Sequence, residues 1–355
     1  MRWLKNILFL ILGCSSTAAF AQQDPIYTQV HMAPITLNPA AAGVFYGGYR
    51  LTSNFRQQWA SVTQPYTTMQ VSFDKPIIDN IWVNDFVAVG ITVASDNAGV
   101  SNFMDNMAKI MVSYGKALDP REKHFVTVGF EGGASQKSIT FSGLNWESQF
   151  ARVDFDQALP TGEPYIDERA NSGIAVIHPD FGLGLHYVYN NESTQLLRAG
   201  FSMQHITRPS YEILGQEVNV FRRINFHADF KGKPSGSTLA FWPKVIYSIQ
   251  GPHRMLFIAS DFHWLLQQAG NITGSVKEVS FSLGPYYRHR EGMGLQTRLQ
   301  VGGLTFGAAY DFNLNQLRTA SNFQGGPEVL VTYQGGFKKG RREKHDHKRF
   351  EWRYD

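Results

Sequence analysis

Polar and apolar residues take turns along most of this chain. Tyr49, Leu51, Ser53 and Phe55 fall on one side of a run, and Arg50, Thr52, Asn54 and Arg56 on the other. After a polar gap, Met69, Val71 and Phe73 oppose Thr68, Gln70, Ser72 and Asp74. Alternation with period two marks a strand with one apolar face, and two such runs across a polar gap mark an antiparallel hairpin. The design recurs at 87–94, 108–115, 126–131, 181–189, 197–205, 224–230, 244–250, 255–262, 279–288, 293–301, 304–312 and 328–333. About fourteen strands result, an even number within the bacterial outer-membrane range. No helix longer than a turn or two is predicted, and no repeat of fixed period points to a propeller.

Beyond the N-terminus no apolar run approaches the ~18–20 residues of a spanning helix. Only a closed barrel then satisfies every backbone polar group in a bilayer. The predicted fold is all-β, a transmembrane antiparallel β-barrel of about 14 strands over residues 49–334. A soluble sandwich would alternate too. Strand number, the low charged fraction of 17% and aromatics near strand ends (Trp59, Tyr66, Tyr187, Tyr189, Trp242, Tyr286, Tyr287) favour the barrel, since such aromatics form interfacial girdles. On this reading Val89 and Ile91 face lipid and reject charge, whereas Thr92 on the other face accepts it.

A Pro-, Ala- and Gly-rich lead-in, residues 22–48, precedes the strands, and a tail, 335–355, follows them. One insertion, Lys137 to Asp180, lacks alternation and carries Asp154, Asp156, Glu163, Asp167 and Glu168. With a periplasmic N-terminus, odd-numbered connections face outward and are the longer ones. Those near 60, 100, 140–180, 207–221 and 313–322 obey this rule. The ninth and tenth break it, with a tight Gly251-Pro252 and a long segment after Trp264.

Residues 1–21 read as a secretory signal: Arg2 and Lys5, an apolar Ile7–Leu12, and Ala19-Phe20-Ala21 before the cut. Ile11-Leu12-Gly13-Cys14 offers lipoprotein processing as the rival. With the first route the single cysteine departs, leaving no disulfide or thiol chemistry.

Catalytic signatures are missing: no G-x-S-x-G, H-E-x-x-H, phosphate-binding glycine loop or Cys/His zinc pattern occurs. No catalytic, cofactor-binding or metal-ligating residue is assigned. His205, Ser210 and Asp229 are the elements of a triad without a shared spacing, and a lumen or loop role suits them better. Arg50, Arg56, Lys109, Glu131, Arg198, Arg223, Asn225, His227, Asp229 and Arg298 fall on inward faces. Mixed signs predict a filled or narrow lumen, whereas an ion-selective pore would favour one sign at its constriction.

The tail from Lys338 to Asp355 holds eight basic and four acidic residues, a surplus equal to the net charge of +4 of the whole chain. It is either a solvated end or a docking segment in which Phe350, Trp352 and Tyr354 anchor on a partner. His345 and His347 alone make a weak metal signal. Nucleic acid is not expected as a partner outside the cytoplasm.

Several blocks carry a family resemblance. D-P-I-Y-T-Q-V at 24–30, L-N-P-A-A-A-G at 37–43, R-Q-Q-W at 56–59, G-F-S-M-Q-H-I-T-R-P at 200–209 and Y-D-F-N-L-N-Q-L-R-T-A-S-N-F-Q-G-G-P-E-V at 310–329 resemble the PorP/SprF family. The resemblance implies a Bacteroidota outer-membrane barrel of the type IX secretion system. It also implies a large secreted surface partner, such as a gliding adhesin, which the barrel helps export and attach. Outward loops, above all 137–180, are expected to meet that partner, and lead-in and tail to face periplasmic type IX or gliding machinery. A passive or hydrophobic-solute channel is the alternative, and a barrel enzyme the more distant one.

Overall fold

The computed structural model describes residues 24–25, 27–62, 64–99, 103–139, 150–154, 157–160, 174–191, 194–213, 216–268, 277–336 and Phe350. The strands are β1 (Tyr49–Gln58), β2 (Tyr66–Asp79), β3 (Asp85–Ala98), β4 (Phe103–Ala117), β5 (His124–Ile139), β6 (Phe150–Asp154), β7 (Gln157–Pro160), β8 (Ile174–Asn190), β9 (Gln195–Gln204), β10 (Ser210–Ile213), β11 (Gln216–Asn219), β12 (Arg223–Gly232), β13 (Leu239–Gln250), β14 (His253–Gln267), β15 (Val279–Arg288), β16 (Gly292–Val301), β17 (Leu304–Asn313) and β18 (Gln324–Gly335). Fourteen of them close into one antiparallel barrel, each beside its neighbour in the chain, with β18 returning to β1. β6–β7 and β10–β11 are small hairpins inside the fifth and seventh connections. Odd-numbered connections gather at one mouth of the barrel, here the odd mouth, and even-numbered ones at the other, the even mouth.

Register makes the alternation physical. Arg50 pairs with Asp74 and Leu51 with Phe73 across β1 and β2, so like faces meet like. Leu51, Met69, Val71, Ile91, Val93, Ile110, Phe130, Leu185, Phe226, Ile258, Leu295 and Val329 form an exposed apolar outer band. Arg50, Thr52, Asn54, Gln70, Asp74, Lys109, Glu131, Asn225, Asp261, Gln296, Arg298 and Glu328 are buried on the inner wall. No described helix is long and apolar enough to cross a membrane.

Three details differ from the alternation. β5 and β8 run further than predicted, to Ile139 and from Ile174, so both ends of the 137–180 insertion are strand. Outward positions of β5 beyond Phe130 are small or polar, such as Ala134 and Gln136, which hides the period there. The tight ninth and long tenth connections are real, because β13 and β14 are joined at 251–252 and β15 starts at Val279. Trp242 and Tyr286 are not girdle residues: both are buried inside the barrel. Trp242 shares its face with Lys244, and Tyr286 points opposite to its exposed neighbour Tyr287, as strict alternation requires.

Candidate functional site

The inner wall receives the lead-in. Three short 3₁₀ turns, Val30–Met32, Pro34–Thr36 and Pro39–Ala41, carry residues 24–48 through the lumen from the odd mouth to the even one. Pro34 and Pro39 each open a turn, where a missing N–H costs nothing. Asn38 caps the third, its Oδ1 accepting from the Ala40 N–H at 2.9 Å.

Anchoring starts near the odd mouth. Asp24 accepts from His205 Nε2 at 2.8 Å and from Gln250 Nε2 at 2.9 Å, with Arg223 3.7 Å away. Asp180 lies 2.9 Å from His205 Nδ1 and 2.7 Å from Lys109 Nζ, and Lys109 also reaches Glu131 at 3.0 Å. Burial works against a charged His205, but Asp24 and Asp180 outweigh it and hold its pKa up at about 9. The backbone N–H groups of Thr28 and Gln29 donate to Glu328 at 2.6 and 2.7 Å. Beside them Arg56, Arg288 and Tyr286 surround Asp311.

At mid-height, the Asn38 Nδ2 group donates to the carbonyls of Leu185 (2.9 Å) and Phe201 (3.3 Å) and lies 3.1 Å from His227 Nε2. Glycine makes this approach possible. A Cβ at Gly129 would collide with the Ala40 backbone, and one at Gly184 with the Asn38 carboxamide. Side chains of the wall then collect the carbonyls of the lead-in. Ser202 donates to Leu37 at 2.5 Å, Thr127 to Ala40 at 2.6 Å, Ser113 to Ala42 at 2.7 Å, and Gln204 to Thr36 at 3.1 Å. Lower down, Asp74 accepts from Arg50 Nε and Nη2, each at 2.8 Å, and from the Gly43 N–H at 2.8 Å. A backbone inside a barrel needs such partners, because each unpaired buried group costs about 1–3 kcal/mol.

A second cluster surrounds Trp242. Lys244 and Arg298 pair with Asp261 and come within 4.1 and 4.9 Å of the indole centre. Its Nε1 donates to Asp229 at 2.8 Å, which also pairs with Arg198 at 2.8 Å. Charges of both signs are thus spent within the wall. One interior cavity of about 50 Å³ is lined by Tyr27, Thr92, Glu131 and His178 among others. Each of these four has a buried polar atom with no protein partner, so the cavity suits ordered water and is far too small for a passage.

All ten polar residues assigned to the inward face belong to strands whose inner side they occupy. The triad elements are not assembled: His205 bonds Asp24 and Asp180, Asp229 bonds Arg198 and Trp242, and Ser210 opens β10. Among the described residues no group of three or more His, Cys, Asp or Glu is placed to hold a metal ion. The lead-in, expected at the periplasmic face, is instead inside the barrel. Alternation missed this because residues 24–48 have no period; their prolines and the wall glycines were the available signal. Of the partner-contact candidates, Asp154 ends β6. Asp156, Glu163, Asp167, Glu168, Trp352 and Tyr354 lie outside the described residues, as do His345, His347 and the signal 1–21. Phe350 is buried in the even mouth.

A family model described as "Type IX secretion system membrane protein PorP/SprF" matches residues 19–333. No curated protein matches the chain. Among solved structures, the Ralstonia pickettii toluene transporter TbuX is 10% identical with a TM-score of 0.48, over 85% of this chain and 92% of that one. A Pseudomonas aeruginosa FadL homologue is 9% identical with a TM-score of 0.44, over 84% and 92%. The monoaromatic hydrocarbon channel CymD is 9% identical with a TM-score of 0.43, over 88% and 93%.

Proposed function

The chain belongs to the PorP/SprF family of type IX secretion system membrane proteins, and from that premise we propose that it is a non-enzymatic outer-membrane barrel serving one dedicated, large secreted partner. It supports that partner's export through the type IX pathway and holds it at the cell surface, as a gliding adhesin would require. The observation that carries this reading is the filled lumen. Among the described residues, polar side chains of the wall bond the chain's own lead-in, which occupies the space that a polypeptide or a solute would need. The partner therefore meets the rims of the barrel, not its interior. The part of the insertion beyond β5 and before β8, residues 140–173, with Asp154, Asp156, Glu163, Asp167 and Glu168, is the proposed contact at the outer surface, and the tail with Trp352 and Tyr354 the proposed contact with periplasmic machinery, the third aromatic, Phe350, being buried in the even mouth. In this proposal residues 1–21 are a signal peptide removed on export, and the source is a member of the Bacteroidota.

The test compares cells with and without the protein for partner at the surface and in the medium, normalised to other type IX cargo. Selective loss of one large surface protein is expected. Unchanged display of every such protein would overturn the reading. Planar-bilayer conductance of the purified protein separates the hydrophobic-solute channel and the open pore from this proposal, for which no conductance steps are expected.

A further inference from the structure

A second, smaller cavity of about 30 Å³ lies between the lead-in and strands β8, β9, β12 and β13. His31 lines it from the lead-in, and His186, Arg198, His227, Asp229 and Lys244 line it from the wall. Hydrogen bonds fix where two of these imidazoles carry their protons. The Lys244 ammonium lies 2.9 Å from His31 Nε2, and the Arg298 guanidinium bonds the same nitrogen. Ammonium and guanidinium groups only donate. His31 Nε2 is therefore an acceptor, and the ring is neutral with its proton on Nδ1. That Nδ1–H is buried and has no protein partner. Asn38 Oδ1 accepts from Ala40, so its Nδ2 faces His227 Nε2 at 3.1 Å and donates there, which puts the His227 proton on Nδ1 as well. His186 stacks on His227 with ring centres 5.2 Å apart. It is 3% exposed, and its Nδ1 also lacks a protein partner.

The charges beside this cavity are paired but not balanced. Arg198, Lys244 and Arg298 share two carboxylates, Asp229 and Asp261. Lys231, also near the Trp242 indole, is offset by Glu278. Among the described residues of the cluster one positive charge is left over, next to a cavity whose lining presents N–H donors. An uncompensated charge in a low-dielectric interior is costly, and water in the cavity would not cancel it.

We propose that this cavity is a binding site for one small monovalent anion of the halide class, enclosed between the lead-in and the wall. The His31 Nδ1–H is its principal donor, and Arg198 and Lys244 supply the attracting charge. Asp229, the one carboxylate on the lining, is engaged by Arg198 and by Trp242 Nε1. A divalent oxyanion would overshoot the surplus by a full charge. The bound ion ties His31 of the lead-in to β9 and β13, so it stabilises the filled lumen.

The experiment uses the full chain refolded in detergent, in sodium gluconate or in sodium bromide at one ionic strength. Bromide is expected to raise the urea midpoint saturably. At ten times its dissociation constant it should shift the unfolding equilibrium roughly tenfold, as a ligand of the folded state does. Lys244→Met leaves Arg298 with Asp261 and removes the surplus, so it should abolish the bromide response without lowering stability in gluconate. Crystals of the wild-type chain grown in bromide give a readout that needs no variant: an anomalous peak in the cavity beside His31 Nδ1. Equal wild-type stability in the two salts, an unchanged bromide response in Lys244→Met, or bromide peaks confined to the protein surface would overturn the proposal.

Discussion

The lead-in and Phe350 both lie against the inner wall, but the wall is prepared for them differently. For the lead-in it supplies carboxylates, hydroxyls and amides aimed at backbone groups, together with glycines that admit the chain. For Phe350 it supplies a ring of apolar side chains and, among the described contacts, no hydrogen bond. A buried backbone demands paired partners along its whole length, so losing any one is costly. A single ring asks only for area and shape, so its burial rests on apolar contact alone.

The largest effect that would sharpen this contrast comes from Asp74→Ala. It strips Arg50, whose side chain is 5% exposed, and the Gly43 N–H of their partner. A cost of about 3–5 kcal/mol is expected from leaving a buried charge unpaired. Urea titration of the refolded protein, followed by heat-modifiable gel mobility, measures it, with Phe350→Ala expected to lower the midpoint by less, since it leaves no buried charge unpaired. If both variants unfolded at the same urea concentration, the contrast would collapse.

Next comes the outer face. Ile91→Lys should cost about 2–4 kcal/mol near the bilayer midplane. Sequence alternation alone lets Thr92 accept a charge, but Thr92 is 3% exposed in the filled lumen. Thr92→Lys is therefore also expected to destabilise, and to do so in detergent as much as in lipid. Only the Ile91 variant should depend on bilayer thickness. Free tolerance of Thr92→Lys would mean that the lead-in does not pack against it.

Asn38→Ala should cost about 1–3 kcal/mol, since the Leu185 and Phe201 carbonyls and the Ala40 N–H each lose a partner. The same urea assay reads it, and a wild-type midpoint would remove Asn38 from the anchoring scheme.

The smallest effect is the pH response of the odd-mouth clamp. His205 faces Asp24 and Asp180, with Lys109 and Arg223 nearby, and its pKa is raised to about 9. A raised pKa means stabilisation that is fully present below the unfolded value of about 6.5 and lost as pH climbs through 9. Protease cleavage near the N-terminal end of the lead-in should therefore quicken between pH 7 and 10. His205→Gln should flatten that rise, and a rise of equal size in the variant would exclude His205 as its cause.

Period-two alternation marked the fourteen strands and their two faces, and strand number with the low charged fraction of 17% set the barrel apart from a soluble sandwich. Side chains on a strand must alternate, and a bilayer makes one face apolar, so Leu51, Val71 and Ile91 announce their side in one dimension. Sequence blocks likewise pointed to the family. Alternation could also say that Arg50, Asp74, Lys109, Glu131 and Arg298 face inward. It could not say what they face, because their partners lie far away in the chain: Glu328 is separated from Thr28 by 300 residues. Residues 24–48 and Phe350 have no period of their own. Their places were decided only once the strands had closed and left a lumen with unpaired polar groups and one apolar rim, which those two ends of the chain complete.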